Sequence, residues 1–200
     1  KLPVATITYD INTLTNRDVI ATITFDKNNV EVEGGNTHTF TENGEYEFAF
    51  IGPTGNIGTA IAKVTWIDKK APVPTITYST TNPTNGEVKA TISFDKEDVI
   101  VEGGNVHTFT DNGEFIFKFI DDAGNTGTAI AKVTWIDKTL PKATITYSTT
   151  NPTNQDVMAS ISFDKEDVTI TNNDGNDTYT FTENGQFEFE FVGPAGNIGT

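Results

Sequence analysis

The chain is organised around one stretch that occurs three times. Residues 42–66 read ENGEYEFAFIGPTGNIGTAIAKVTW, residues 111–135 repeat this pattern, and residues 183–200 repeat its first part. In the first occurrence, Tyr46, Phe48 and Phe50 alternate with polar or small residues, which indicates a half-buried β-strand. The residues after the Gly/Pro/Asn loop alternate in the same way. This pattern predicts a β-hairpin with one buried face and one solvated face.

The repeat has a constant length in its first two copies. Pro3, Pro72 and Pro141 open the three copies, and 72 − 3 and 141 − 72 both give 69. The interval from Phe109 to Phe181 is 72, so the third copy carries a three-residue insertion. Solenoid repeats usually have about 20–50 residues, whereas about 70 residues suffice for a small separate core. We therefore predict three domains: residues 1–69, 70–138 and 139–200.

Each copy is predicted to contain about seven short antiparallel strands and no helix. In the first copy, alternating segments Val4–Tyr9, Asp18–Phe25, Val30–Glu33 and Thr37–Thr41 precede the hairpin. Gly34-Gly35-Asn36 predicts a further tight hairpin. A compact all-β sandwich follows from this pattern of short strands and turns. The predicted core of the first copy is Ile7, Tyr9, Ile23, Phe25, Phe40, Tyr46, Phe48, Phe50, Val64 and Trp66.

The connections between copies are short and contain proline. Residues 66–72 and 135–141 run from the last strand of one copy into the first strand of the next. Proline restricts its own φ and the conformation of the residue before it, whereas a flexible linker would be rich in Gly and Ser. We predict tandem sandwiches in an elongated rod that bends little.

Charge and composition exclude several functions. The net charge is −15 and the pI is near 4.3, which disfavours nucleic acid and anionic lipid surfaces. The sequence shows no apolar run long enough for a membrane-spanning helix, so we expect no direct membrane insertion. The chain has no cysteine, which excludes disulfides, cysteine zinc sites and thiol catalysis.

Several segments carry a resemblance to a known family. The segments TITYSTTNPTNGEV, TISFDKEDV, DDAGNTG and KVTWIDK resemble the tandem bacterial immunoglobulin-like (Big-type) domains of cell-surface and secreted proteins, chiefly of Gram-positive bacteria. The resemblance covers the whole chain and implies an extracellular or cell-surface location. Domains of this kind serve as spacers, as stalks of adhesins and as appendages of extracellular enzymes. Unlike antibody domains, the chain has no cysteine pair around a core tryptophan.

Two acidic segments are candidates for calcium binding. Asp121 and Asp122 lie in DDAGN, and Asp174 and Asp177 lie in the insertion of the third copy. Calcium takes six to eight oxygen ligands. The other two copies have no carboxylate at the positions of Asp121 and Asp122, and the insertion lacks the twelve-residue register of a helix-loop-helix calcium site. We expect turns at both places, with calcium as the weaker alternative, and no other cofactor.

No catalytic or cofactor-binding residues are predicted. His38 and His107 occupy equivalent strand positions, and the third copy has Tyr179 there. A single imidazole without a second histidine or a cysteine nearby favours side-chain packing. The repeated Asp26, Asp95 and Asp164 follow strand ends, where Asp commonly stabilises a turn. We expect a protein that is not an enzyme.

These observations predict a structural spacer, stalk or fibre-forming segment of a bacterial surface protein. The alternative is an adhesin or carbohydrate-binding module with a host or glycan ligand. The expected partners are flanking domains or copies of the same repeat. The third copy has no residues equivalent to Thr59–Trp66 before Thr200. We expect an open edge there that exposes Phe187, Phe189 and Phe191, and that is completed by the continuing chain or by a strand from a neighbouring chain.

Overall fold

The computed structural model describes residues 1–200 and is all-β. Each repeat contributes six strands arranged as two three-stranded sheets. Six strands per repeat agrees with the prediction of about seven short strands. In each of the first two repeats one further pairing is an isolated parallel bridge, which joins Thr15 to Ile67 in repeat 1 and Thr84 to Ile136 in repeat 2.

The same strand order recurs in all three repeats. In repeat 1 the strands are β1 (Ala5–Tyr9), β2 (Val19–Phe25), β3 (Glu31–Val32), β4 (Thr37–Phe40), β5 (Gly44–Ile51) and β6 (Ile57–Val64). In repeat 2 they are β7 (Pro74–Tyr78), β8 (Val88–Phe94), β9 (Ile100–Val101), β10 (Val106–Phe109), β11 (Gly113–Ile120) and β12 (Thr126–Val133). In repeat 3 they are β13 (Ala143–Tyr147), β14 (Val157–Phe163), β15 (Thr169–Ile170), β16 (Thr178–Phe181), β17 (Phe191–Val192) and β18 (Ile198–Gly199), with a 3₁₀ turn at Asn173–Gly175.

The sheet order confirms one predicted hairpin and contradicts another. The two sheets of repeat 1 have the orders β1-β2-β4 and β3-β5-β6. Strands β5 and β6 form the predicted hairpin, in register from Gly44 opposite Val64 to Ile51 opposite Ile57. The predicted hairpin at Gly34-Gly35 is wrong, because β3 and β4 belong to different sheets. Both glycines have a positive φ, 75° and 97°, and they turn the chain out of one sheet and into the other.

One buried cluster in repeat 1 draws side chains from both sheets. Its members are Val19, Ala21, Ile23, Phe40, Phe48, Phe50, Ala62, Val64 and Ile67. The prediction placed five of the ten core residues correctly. The other five, Ile7, Tyr9, Phe25, Tyr46 and Trp66, are only half-buried and pack against this cluster. Of these five, Ile7 and Tyr9 lie on the edge strand β1, and Trp66 follows the edge strand β6.

By its internal contacts the chain divides into two compact units. The first contains residues 1–75, 93–105 and 117–129, and the second contains residues 76–92, 106–116 and 130–200. The boundary runs through repeat 2, so each unit contains one complete connection between repeats. The division into three domains stays a prediction.

Repeat 3 differs from repeat 1 in its second sheet. Strand β17 has two residues where β5 has eight, and residues 185–190 belong to no strand. The expectation that Phe187, Phe189 and Phe191 are exposed is wrong. Phe189 and Phe191 are buried with Ile161, and Phe187 packs against them. An open sheet edge leaves backbone groups unpaired. The side chains project perpendicular to the sheet, however, and those on its inner face remain covered by the facing sheet.

Candidate functional site at the joints between repeats

The first joint, residues 66–72, is hydrogen-bonded to repeat 1 along its backbone. The Thr15 N–H donates to the Trp66 carbonyl at 3.0 Å, and the Asp68 N–H donates to the Thr15 carbonyl at 2.8 Å. The Asn43 side chain bonds both backbone groups of Ile67, accepting from its N–H and donating to its carbonyl, each at 2.8 Å. Because four backbone groups of three consecutive residues are satisfied in this way, the start of the joint is rigidly placed.

The same joint is bonded to repeat 2 by side chains. Lys96 Nζ lies 2.7 Å from Asp68 Oδ2 and 2.9 Å from Asp121 Oδ2, and it also bonds the Lys70 carbonyl. Asn125 donates its side-chain N–H to the Asp68 carbonyl at 2.9 Å and to both carboxylate oxygens of Asp121. Asp68 is thus held by repeat 1 through its N–H and by repeat 2 through its carboxylate and carbonyl.

One direct hydrogen bond joins repeat 1 to repeat 2 and involves no residue of the joint. The Asn16 N–H, in the loop between β1 and β2, donates to the Ala123 carbonyl at 2.8 Å, in the loop between β11 and β12. Gly124 has a φ of 90°, a backbone conformation that glycine adopts readily and other residues rarely do. A Cβ added there would make only an ordinary contact with the Asn16 side chain, 3.6 Å from its amide nitrogen, so the φ of this loop, and not a lack of space, favours glycine.

The charges at the first joint shift one another's pKa values. Hydrogen bonding by Lys96 is the main cause that lowers the pKa of Asp68, and Asp68 and Asp121 together raise the pKa of Lys96. Asp121 is only 7% exposed. Burial raises the pKa of Asp121, but hydrogen bonds from Asn125 and Lys96 outweigh burial, so the net shift is downward. The carboxylates are therefore held in their charged form.

The second joint, residues 135–141, repeats most of this arrangement. Thr84 and Asn112 bond Trp135, Ile136 and Asp137 as their counterparts do in the first joint. Lys165 Nζ lies 2.6 Å from Asp137 Oδ2, and the Asn197 side chain donates to the Asp137 carbonyl at 2.8 Å. Lys165 is the main cause that lowers the pKa of Asp137. The Asn85 N–H donates to the Ala195 carbonyl at 2.8 Å, as Asn16 does to Ala123.

The two joints differ in the carboxylates that contact their lysine. Asp121 in repeat 2 corresponds to Gly193 in repeat 3. A Cβ on Gly193 would lie 2.9 Å from Cγ of Pro141, so no side chain fits there without movement. The first joint therefore has two carboxylates on its lysine, and the second has one.

We predict that the first joint loosens in acid. A carboxylate whose pKa is lowered in the folded state stabilises that state above its unfolded pKa, here 3.8, and this contribution disappears as the pH falls through the lowered value. Calorimetric unfolding temperatures should therefore decrease as the pH falls below about 4. The Asp68→Asn variant should show a shallower decrease in this range. An equally steep decrease in this variant and in the unmodified chain would contradict the role of Asp68.

The structure does not bring the calcium candidates together. Asp121 and Asp122 lie in the β11–β12 loop, where Asp121 is bonded to Lys96 and Asn125 and Asp122 is exposed. Asp174 and Asp177 are exposed at the 3₁₀ turn of repeat 3. No group of three or more acidic or histidine side chains is arranged to hold a metal ion. Calcium binding stays a prediction.

The two histidines pack against aromatic rings. His38 stacks on Tyr46 with ring centroids 3.7 Å apart, and His107 stacks on Phe115 at the same distance. The predicted packing role is confirmed, although the stacked ring belongs to the other sheet and the residue opposite His38 in the ladder is Ala21. Tyr179 stacks on Phe187 in repeat 3. An aromatic or imidazole ring therefore occupies this place in all three repeats.

The repeated aspartates fasten the first strand of each repeat. The carboxylates of Asp26, Asp95 and Asp164 accept hydrogen bonds from the backbone N–H of Val4, Val73 and Lys142 at 2.6–2.7 Å. The prediction assigned them to turns, and the structure shows that they also bond a residue distant in sequence.

The contribution of Asn43, Asn112, Asn125 and Asn197 to the joints was missed. The signal in the sequence was the recurrence of Asn-Gly and Gly-Asn at fixed distances from Trp-Ile-Asp.

The comparisons with known proteins identify no relative. No family model matches the chain, and no curated protein is significantly similar to it.

No helix in the structure has the length and apolar character needed to span a bilayer.

Proposed function

We propose that the chain is a non-catalytic spacer made of tandem immunoglobulin-like β-sandwiches of the Big type. It forms part of a stalk or fibre of a Gram-positive cell-surface or secreted protein. In this role each repeat contributes length, and the joints keep successive repeats in a fixed orientation. Flanking domains or further copies of the repeat are its partners.

The joints carry this proposal. Both joints are bonded to the repeat before and the repeat after them, through equivalent residues in each case. A linker that only connects two independent domains needs no such bonds and is commonly polar and mobile. Conversely, a spacer transmits position only if its joints resist bending. The bonds of Asp68 and Asp137 to both neighbouring repeats serve that purpose.

The side chains that could perform chemistry have structural partners. His38 and His107 are stacked on rings, and Asp26, Asp95 and Asp164 bond strand backbones. Lys63 and Lys132 are exposed and pair with Glu45 and Glu114. These contacts support a structural role for each of these groups.

Distances between labels across the first joint would test the proposal. The chain has no native cysteine, so two cysteines introduced at the equivalent exposed positions Ile61 and Ile130 can carry spin labels. We expect a narrow distance distribution. A control with Gly-Ser-Gly-Ser inserted after Lys70 should give a broad one, because the joint can then bend. Equal widths in the two proteins would contradict a stiff joint.

Small-angle scattering would test the rod. A compact protein of 200 residues has a radius of gyration of about 16 Å. We expect a clearly larger value for tandem sandwiches held end to end. A value near 16 Å would contradict the spacer proposal, even if the joints were stiff.

A groove on repeat 2 favours a binding module as the second candidate. It has a volume of about 650 Å³ and includes Ile100, Lys118 and Phe119 in its lining. The corresponding groove on repeat 1 has about 370 Å³, with Glu31 and Ala49 at the places of Ile100 and Lys118. Screening the chain against a glycan array would separate the candidates, because a clear preference for one sugar would contradict a pure spacer.

A further inference from the structure

Asparagine followed by glycine is a chemically labile pair. The glycine nitrogen can attack the side-chain amide carbon of the asparagine, because glycine has no side chain that obstructs the approach. The chain contains four Asn-Gly pairs, and three of them, at Asn43, Asn85 and Asn112, lie in repeats 1 and 2. Each of these three is exposed and is followed by Gly-Glu. Differences in their reactivity therefore depend on how the fold holds each side chain.

The side chains of Asn43 and Asn112 are fastened by hydrogen bonds. The Asn43 side chain accepts from the N–H of Ile67 and donates to its carbonyl, and Asn112 bonds Ile136 in the same way, all at 2.8 Å. In both pairs the glycine is the first residue of a strand, β5 or β11. Attack on the amide carbon would therefore require that the side chain leave both of its partners.

The side chain of Asn85 makes no hydrogen bond. Its backbone N–H donates to the Ala195 carbonyl at 2.8 Å, but this bond leaves the side chain free to rotate. Asn85 and Gly86 form a bend before β8 and belong to no strand. The Asn85 amide can therefore turn toward the Gly86 nitrogen without losing a bond.

The fold does not require a glycine at position 86. Gly86 does not have a positive φ, and an added Cβ would make an ordinary contact, 3.5 Å from Thr84 Oγ1. The equivalent residues are Arg17 and Gln155. In all three repeats the N–H at this position donates to the threonine hydroxyl two residues earlier, at 3.0–3.1 Å. Glycine therefore makes the pair reactive without being needed for the turn.

We propose that Asn85 deamidates spontaneously and that its conversion loosens the second joint. The Gly86 nitrogen attacks Cγ of Asn85 and forms a C–N bond, and the side-chain amino group leaves as ammonia with the proton of the Gly86 nitrogen. Water then opens the resulting succinimide at one of its two carbonyls, which yields aspartate or isoaspartate. The reaction does not depend on the proposed spacer function.

Both products add a negative charge where the second joint is held. Thr84, directly before Asn85, donates its N–H to the Trp135 carbonyl at 3.1 Å and accepts from the Asp137 N–H at 2.8 Å. Isoaspartate lengthens the main chain by one carbon atom and places a carboxylate beside the N–H that bonds the Ala195 carbonyl. That carboxylate repels the carbonyl oxygen, and the longer chain disturbs the turn that positions Thr84.

Storage of the 200-residue chain in weakly alkaline buffer tests the chemistry. Peptide mapping by mass spectrometry follows each pair through the mass difference between an amide and an acid. We expect conversion at Asn85 to be about tenfold or more faster than at Asn43 and Asn112, because two hydrogen bonds protect each of these. In urea the three rates should become similar. Equal rates in the folded chain, or a difference that persists in urea, would overturn the proposal.

The Gly86→Gln variant connects the chemistry to the joint. It introduces the residue of repeat 3 and should lose most of the conversion at Asn85. Cysteines introduced at the exposed positions Ile130 and Ile198 can carry spin labels on both sides of the second joint. We expect the distance distribution to broaden during storage when residue 86 is glycine and to stay narrow in the variant. Equal broadening in both chains, or none after conversion, would overturn the effect on the joint.

Discussion

Replacing Phe48 with alanine is expected to destabilise repeat 1 by about 3–5 kcal/mol. The Phe48 side chain is 0% exposed, and its ring packs edge-on against Tyr46 with centroids 4.9 Å apart. Alanine would leave a cavity between strands that cannot close fully, because both sheets are held by backbone ladders. A repeat of about 70 residues has a total stability of about 3–10 kcal/mol. The loss therefore approaches the whole stability of the repeat.

Urea unfolding followed by tryptophan fluorescence measures this effect. A Trp135→Phe background leaves Trp66, in repeat 1, as the single tryptophan. The matched control is Ile61→Ala on the same hairpin, where the side chain is 58% exposed and the expected change is within about 0.5 kcal/mol. Equal midpoints for the two variants would mean that Phe48 is not in the core.

Replacing the asparagine of the recurring Gly-Asn pair with alanine should lower the unfolding free energy more at the first joint than at the second. Asn125 is 8% exposed and bonds the Asp68 carbonyl and the buried Asp121 carboxylate. Its loss should cost about 1.5–3 kcal/mol, because one acceptor is charged. Asn197 bonds only the neutral Asp137 carbonyl, so its loss should cost about 1 kcal/mol. Asn56 is exposed and serves as the control, with an expected change within about 0.5 kcal/mol.

The order of the three variants is the decisive result. We expect the unfolding free energy to decrease least for Asn56→Ala, more for Asn197→Ala and most for Asn125→Ala. Spin-label distances across the first joint should broaden in Asn125→Ala and stay narrow in Asn56→Ala. If Asn125→Ala and Asn56→Ala behave alike, the Gly-Asn motif is only a turn and the joint is held by other contacts.

The strands were predictable because their signal is local. Alternation of apolar and polar residues located β1, β2, β4 and the β5–β6 hairpin to within one or two residues, since adjacent side chains of a strand point to opposite faces. The recurrence of this alternation at a step of 69 predicted three copies of one unit, and the structure gives the same strand order in all three. Burial within each strand was predicted less well, because it depends on what the facing sheet covers.

The assignment of strands to sheets was not predictable in the same way. Gly34-Gly35 has the composition of a hairpin turn, but it carries the chain from one sheet to the other. The exposure of Phe187, Phe189 and Phe191 was also predicted wrongly. Phe189 and Phe191 pack with Ile161 of the other sheet, whereas Tyr147 is 52% exposed and Val157 and Phe181 are half-buried.

The sequence alone determined that this protein is a series of similar all-β units joined by short proline-containing segments. Both properties are encoded by neighbouring residues and by the constant step of the repeat. Only the tertiary structure decided how the joints are held. Lys96 reaches Asp68 and Asp121 from positions 28 and 25 residues away, and such contacts depend on how strands from two repeats come together. Charges and amides distant in the chain meet there because the folded sheets bring their loops to the same place.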